Sequence, residues 1–392
     1  MGAAQFKGPQ SPQFSLFTRQ SAGIYGGRGT LIHMHWIALL TAGLALILAR
    51  TLRAPARSGM LTGVAFFLSA FAVTSFAIRV GSEQAEITRP TEYDQFVTYA
   101  AEQVRNEPDT PFVVFVGASF SRNAIDDEAL TAQLRAAGYP HRVVNLSLQG
   151  ASLQERDAHL WQFMRMTGMA PDVVFLEVAD LFDSNPAYVF NVAKFSDRAI
   201  EQFDPNSAYW SMKGLAQGAC HGMADCVKNW VLLKVHAAMN WTNIGLLATG
   251  EAASDVEPFP SFDPQNMPRE TFDWPVDEIV EALNVPAEIH PETGPSWARL
   301  FRLDQRERLQ EAGVRRIAYY YPPVLPPEDR QYVARLCAGE LAEYPCIAPV
   351  DRQLLSQLEG EVWLDHEHLL AEGADVYTTW LAGQIESWGA LQ

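Results

Sequence analysis

Three side chains whose types together perform acyl transfer are Ser119, Asp365 and His368. Asp365 and His368 are three residues apart, so one helical turn or a turn-like loop puts both on the same side. A carboxylate so placed fixes the tautomer of an imidazole and stabilises the imidazolium formed when the ring takes a proton. The ring then needs a hydroxyl to deprotonate. Ser119 offers one, because it leaves the end of the most strand-like stretch of the chain, Phe112-Val113-Val114-Phe115-Val116, which Gly117 closes. Five apolar residues, β-branched or aromatic, read as a strand buried on both faces. Open α/β sheets hold their ligands at the carboxyl ends of such strands. Taken alone, the stretch is a strand ending in small turn residues; the distant Asp365–His368 pair is what lifts Ser119 above that plain reading. His366 with His368 could instead ligate a metal, but no second histidine or acidic cluster with ligand spacing joins them, and neither a metal nor another cofactor is expected.

These residues need a scaffold, and the surrounding pattern alternates strand and helix. Tyr93, Phe96, Val97, Ala100, Ala101 and Val104 recur at helical spacing ahead of the strand. Beyond the serines, Asp126-Asp127-Glu128 puts negative charge at the start of a helix expected over 126–137, with Gly138 at its end. A second strand is expected at 142–146, followed by the loop Asn145-Leu146-Ser147-Leu148-Gln149-Gly150-Ala151-Ser152. Ser152-Leu153-Gln154-Glu155 reads as a capping box for the next helix. A third strand is expected at 173–178, after Pro171-Asp172. Short connections of this kind imply a parallel, doubly wound sheet.

From about 200 to 310 the alternation lapses, and five of the ten tryptophans fall there (Trp210, Trp230, Trp241, Trp274 and Trp297). This region, with one helical run near 227–247, reads as an insertion packed over an edge of the sheet. Exposed tryptophans would stack on sugar rings; burial is the plainer reading. Regular structure resumes with a helix ending at Ala312-Gly313, a strand at 316–321, a short strand at 346–350, and a terminal helix carrying Val376, Trp380, Leu381 and Ile385.

Composition sets the outer bounds. A chain of 392 residues has room for one large domain and something smaller, and 48% hydrophobic against 19% charged residues excludes wholesale disorder. A net charge of −17 argues against nucleic acid as a partner, since phosphates demand clustered lysine and arginine. Two uncharged apolar segments, 31–49 and 60–78, are each about the length needed to span a bilayer. The alternative is a pair of buried helices in a soluble core. The polar tail 1–30 ahead of them argues against a cleavable signal peptide and suits docking to a membrane protein complex. Arg50, Arg53 and Arg57 between the segments favour a cytoplasmic hairpin loop, although Lys7, Arg19 and Arg28 weaken that count.

The cysteines decide the orientation. Cys220 with Cys226, and Cys337 with Cys346, form two local pairs with none left over, which points to two disulfides and an oxidising compartment. The competing zinc reading wants closer ligand spacing within each pair. The expected layout is therefore a tail over 1–30, a two-helix transmembrane hairpin over 31–80 in a bacterial inner membrane, and a periplasmic domain over 90–392 with its insertion.

At this point the motifs resemble a known family. Gly117-Ala118-Ser119-Phe120-Ser121 is similar to the first block of the SGNH (GDSL-type) hydrolases, usually Gly-Asp-Ser. The stretch 145–150 resembles the second block, and Asp365-His366-Glu367-His368-Leu369 matches the Asp-x-x-His of the last. The resemblance covers about 110–190 and 313–390. It implies a flavodoxin-like α/β three-layer sandwich with a parallel sheet, a triad of Ser119, His368 and Asp365, and oxyanion donors at Ser119 and Gly150. Membrane-tethered members acting on alginate or teichoic acid share the layout, which implies an acylated envelope glycan or lipid as substrate. Two positions depart from the pattern. Ala118 replaces the first-block aspartate, which lies outside the triad. The third block, usually Gly-x-Asn-Asp, reads Glu177-Val178-Ala179-Asp180, so Ala179 stands where an asparagine would donate to the oxyanion. Losing one such donor costs about 10²–10³ in rate. Asn185, a few residues on, is the candidate substitute.

Three functions compete on these features. The first is a membrane-anchored extracytoplasmic serine esterase or O-acyltransferase. A catalytically weak or inactive scaffold, serving as accessory subunit of a membrane complex, is the second, motivated by Ala179 and the aromatic-bearing tail. A carbohydrate-binding module built on the tryptophan-rich insertion is the third. Retention of Ser119, Asp365 and His368 together favours the enzyme.

Overall fold

The computed structural model describes residues 57–84, 92–148, 151, 153–178, 275–285, 297–348, 352–389 and 391, with 209, 210, 224 and 227 as isolated positions. The tail, the first expected span at 31–49, Gly150, Ala179, Asn185, Cys220 and Cys226 lie outside the described residues, as does most of the expected insertion. The chain divides into two compact units, one of 1–88 with 241–252 and the other of 89–240 with 253–392.

In the first unit, the second expected span is a helix, α1 (Arg57–Gln84), 28 residues long. Leu61, Val64, Phe66, Leu68 and Val73 on it are exposed. Among the described residues no helix is long and apolar enough to cross a membrane.

The second unit is an α/β fold around five parallel strands. In chain order it runs α2 (Glu92–Arg105), β1 (Phe112–Val116), α3 (Ser119–Ala124), α4 (Asp127–Ala136), β2 (Arg142–Asn145), α5 (Leu153–Thr167) and β3 (Val173–Glu177). There follow α6 (Val276–Asn284), α7 (Trp297–Glu311), β4 (Arg316–Tyr320), α8 (Pro327–Ala338), β5 (Cys346–Ile347), α9 (Arg352–Gln357) and α10 (Ala371–Trp388). The sheet order is β2-β1-β3-β4-β5, with every neighbouring pair parallel. Strand β1 is interior, as its unbroken apolar run predicts, and all five of its residues are buried.

Alternation along each strand divides the core between two faces. Phe112, Val114 and Val116 pack with Val97 and Val104 of α2, Leu160 and Phe163 of α5, and Val333 and Leu336 of α8. Val113 and Phe115 pack on the opposite face with Leu130 and Leu134 of α4, Leu354 of α9, and Tyr377, Leu381 and Ile385 of α10. Phe115 anchors that second core. Its ring stacks on Phe175 at a centroid distance of 4.4 Å and meets Tyr320 edge-on at 5.1 Å.

Most boundaries agree with the sequence pattern. Asp126 caps α4 by accepting from the Ala129 amide at 2.9 Å, and Gly138 beyond its end has φ 94°, a conformation that favours glycine. Trp210 is buried, and its Nε1 donates to Asp304 at 2.9 Å, which agrees with packing rather than sugar stacking for that tryptophan. Cys337 and Cys346 form the expected disulfide, tying the end of α8 to β5. Helices α6, α8 and α9 were not expected, β5 is shorter than the expected 346–350, and the stretch after β1 also differs. The serines do not occupy an open turn, because a six-residue helix, α3, starts at Ser119 itself.

Candidate active site

Strand order fixes where the site lies. From β1 the chain moves to β2 on one side and then returns to β3 on the other, so the connections leave in opposite directions at the carboxyl end of β1. Such a switch point opens a crevice. Ser119 follows β1 by a short turn and stands at that end.

The last loop of the domain approaches the same point. Residues 363–369 form a narrow loop closed by an antiparallel bridge between Trp363 and Leu369 and by the Leu364 amide donating to the His368 carbonyl at 2.8 Å. Within it, Asp365 Oδ1 accepts from the backbone amides of Glu367 and His368, both at 2.8 Å. These bonds hold the carboxylate in one orientation. The i,i+3 pair is therefore set by a turn, and α10 begins only at Ala371.

The three residues singled out by chemistry meet. His368 Nδ1 lies 2.8 and 2.9 Å from the two oxygens of Asp365, and Nε2 lies 2.8 Å from Ser119 Oγ. With Nδ1–H donating to the carboxylate, Nε2 carries the free lone pair and Ser119 donates to it. Phe120, next to the serine, covers one side of the imidazole with ring centroids 5.6 Å apart. Ser119 and His368 are 8% and 5% exposed, so little water competes for these bonds.

Burial and charge act against each other on both groups. For Asp365 burial pushes the carboxyl up, but attraction to His368 and bonds from that ring and from the Glu367 amide hold it below the usual carboxylate range. For His368 burial pushes the ring down, but the Asp365 charge and hydrogen bond, with Glu367 nearby, raise it above the usual imidazole value. The site thus has an ionised carboxylate behind a strengthened base. His366 turns to Glu367, with Nε2 3.5 Å from its carboxylate, and stands outside this line.

Several residues to which the sequence reading gives no role in the triad hold the serine in place. Glu177 ends β3 and sends its carboxylate under the nucleophile turn. Its Oε2 accepts from the Ala118 amide at 2.9 Å and from Ser121 Oγ, while Oε1 faces Arg156 Nη1 at 3.0 Å. Gly117 lets that carboxylate in, because a Cβ there would fall inside contact distance of Glu177 Oε2 and of Ser121. Burial raises the Tyr320 phenol, with the Glu177 charge adding to the shift. Asn145 fixes the far end of α3, donating through Nδ2 to the Ile125 carbonyl at 2.9 Å and the Ser121 carbonyl at 3.3 Å. The loop after β2 is tied to the same turn, since the Leu148 amide donates to the Gly117 carbonyl at 3.0 Å. The sequence signals for Glu177 were a charged residue closing the apolar run Val173–Glu177 and its place where the third block usually has glycine.

The arrangement can pass a proton from Ser119 to His368 and balance the resulting charge with Asp365. Among the described residues no group of three or more His, Cys, Asp or Glu side chains could hold a metal ion. No protein-family model matches the chain, and no curated protein matches it in sequence.

Proposed function

We propose that this chain is an SGNH-type serine esterase or O-acyltransferase that acts through Ser119, His368 and Asp365. The observation carrying the reading is the continuous line from Ser119 Oγ through the His368 ring to the Asp365 carboxylate, with contacts of 2.8 to 2.9 Å. Ser119 Oγ attacks an ester carbonyl carbon as its proton moves to Nε2, and the carbonyl electron pair shifts to oxygen. Collapse expels the alcohol, which takes the proton from Nε2 and leaves the acyl group on Ser119. Water or a sugar hydroxyl then attacks, gives its proton to Nε2, and releases acid or a new ester with the serine restored. In this reading the amides of Ser119 and Gly150 receive the oxyanion, and Ala179 in the third block keeps the rate modest.

The substrate class we infer is an O-acylated envelope glycan or lipid, with the domain held at a membrane on its periplasmic side. Support comes from the apolar segment 31–49, the exposed apolar side chains of α1, and the Cys337–Cys346 disulfide, which fits an oxidising compartment. We further read the sheet as flavodoxin-like and three-layered, supported by its strand order and its two cores. Fluorophosphonate labelling tests the catalytic claim. Wild type should be labelled at Ser119 and should hydrolyse a small aryl ester, and Ser119→Ala should lose both with its unfolding midpoint nearly unchanged. If wild type and Ser119→Ala prove equally inert, the accessory-scaffold reading favoured by Ala179 takes its place.

A further inference from the structure

We infer that Glu177, paired with Arg156, is the positioning residue of the nucleophile, clamping the backbone on both sides of Ser119; the inference rests on the hydrolase reading above. The carboxylate accepts hydrogen bonds from the amide of Ala118, the residue before the nucleophile, and from the hydroxyl of Ser121, two residues after it, on the single oxygen Oε2. Ser119 sits between the two grips. Its first helical turn therefore cannot rotate without breaking a charge-assisted bond in a buried site, the kind worth about twice a neutral one.

Arg156 completes the clamp. Its Nη1 faces Glu177 Oε1 at 3.0 Å, while its Nε donates to the Ala151 carbonyl at 2.9 Å. Both residues are almost wholly buried, at 4% and 3% exposure. An ion pair this deep contributes little net stability, because desolvating two charges costs about as much as their attraction returns. Its residue types are better explained by orientation. The pair joins three segments whose relative placement decides the chemistry: the turn 117–121, the loop after β2 at Ala151, and the carboxyl end of β3. Gly117 answers the same demand, since any side chain there would displace the carboxylate. The acid at the end of β3 thus supports the serine from below, one position before the apolar Val178 that leads to Ala179.

The test separates orientation from fold by comparing two neutral pairs. In Glu177→Gln with Arg156→Met, the amide oxygen can still accept from the Ala118 amide. In Glu177→Met with Arg156→Met, shape is kept and the oxygen is gone. With folded protein matched by circular dichroism, the glutamine pair should keep kcat for an aryl ester within about threefold of wild type. The methionine pair should lose about tenfold or more in kcat with KM unchanged, since a misaimed nucleophile weakens the transition state and not substrate binding. Hydrogen exchange supplies a second readout. The Ala118 amide should be protected in wild type and in the glutamine pair, and should exchange at least tenfold faster in the methionine pair. Equal kcat in the two pairs, or equal protection at Ala118, overturns the clamp. A wild type inert toward ester and fluorophosphonate sinks the hydrolase reading alone, and exchange at Ala118 still decides whether Glu177 holds the turn.

Discussion

His368 is buried beside a carboxylate, and these two facts pull its basicity in opposite directions. Asp365 wins, so the ring sits above the ordinary imidazole value. The base must be neutral to take a proton from Ser119, and activity should therefore rise with pH through a limb lying above the usual imidazole range. Asp365→Asn removes the main raising cause and leaves burial, so the limb should move to lower pH while the plateau falls by about 10⁴. A pH–rate profile of aryl ester hydrolysis checks both signs, and a limb that stays or moves up would contradict the assignment. Stability follows the same pair. The raised imidazole contributes stability that is fully present below its unfolded value and is lost as pH rises through its folded value. The depressed carboxyl contributes stability present above its unfolded value and lost as pH falls through its folded one. That Ser119, Asp365 and His368 would meet was legible in the sequence because the proposed acyl transfer admits few residue types, and because the aspartate–histidine spacing is local. Glu177, Ser121 and Arg156 were not, since an acid closing a strand looks like the ordinary point where an apolar run meets water.

Regular elements were read best where their periodicity ran long enough to declare itself. Strand β1 and helix α4 with its Asp126 cap stand close to their expected bounds, and α10 carries Val376, Trp380, Leu381 and Ile385 as expected. Helices α6, α8 and α9 were not expected, and neither was α3. Its six residues fall below the length at which helical periodicity can be recognised, and its Ala118 cap makes no side-chain bond. Tertiary contacts hold it instead, from Asn145 at its end and from Thr378 of α10, whose Oγ1 donates to the Ala124 carbonyl at 3.2 Å. The turn that joins β1 to α3 is correspondingly tight. Gly117→Ala would drive a methyl group into Glu177 Oε2 and into Oγ and Cβ of Ser121 in a buried site, so these side chains must shift. We expect a loss of about 1–3 kcal/mol, the usual range for overpacking, read as a lower urea midpoint with an unchanged slope. Ester hydrolysis should fall by more than the unfolded fraction explains, because the same methyl displaces the clamp. A variant as stable and as active as wild type would mean that the turn has room that its geometry denies.

Across the whole chain, the alternation of strand and helix was enough to imply a parallel sheet, while placing the chain in a cell rests on charge, apolar segments and cysteines. Of these, the Cys337–Cys346 bridge is the one open to direct measurement among the described residues. It links the end of α8 to β5 at a sequence separation of 9, and both cysteines pack against the core that also holds Tyr319 and Leu336. Closing a loop this short removes about 2–3 kcal/mol of chain entropy from the unfolded state on the loop-closure account. Reduction should therefore lower the unfolding midpoint by a corresponding amount, and Cys337→Ala with Cys346→Ala should reproduce the reduced protein. Alkylation of freshly isolated native protein, with no reductant, should leave Cys337 and Cys346 unmodified if the domain matures in an oxidising compartment. Free thiols at these two positions would place the domain where glutathione keeps cysteines reduced. An envelope glycan would then be out of its reach, and the substrate would have to be sought among intracellular esters, with the chemistry proposed for Ser119, His368 and Asp365 untouched.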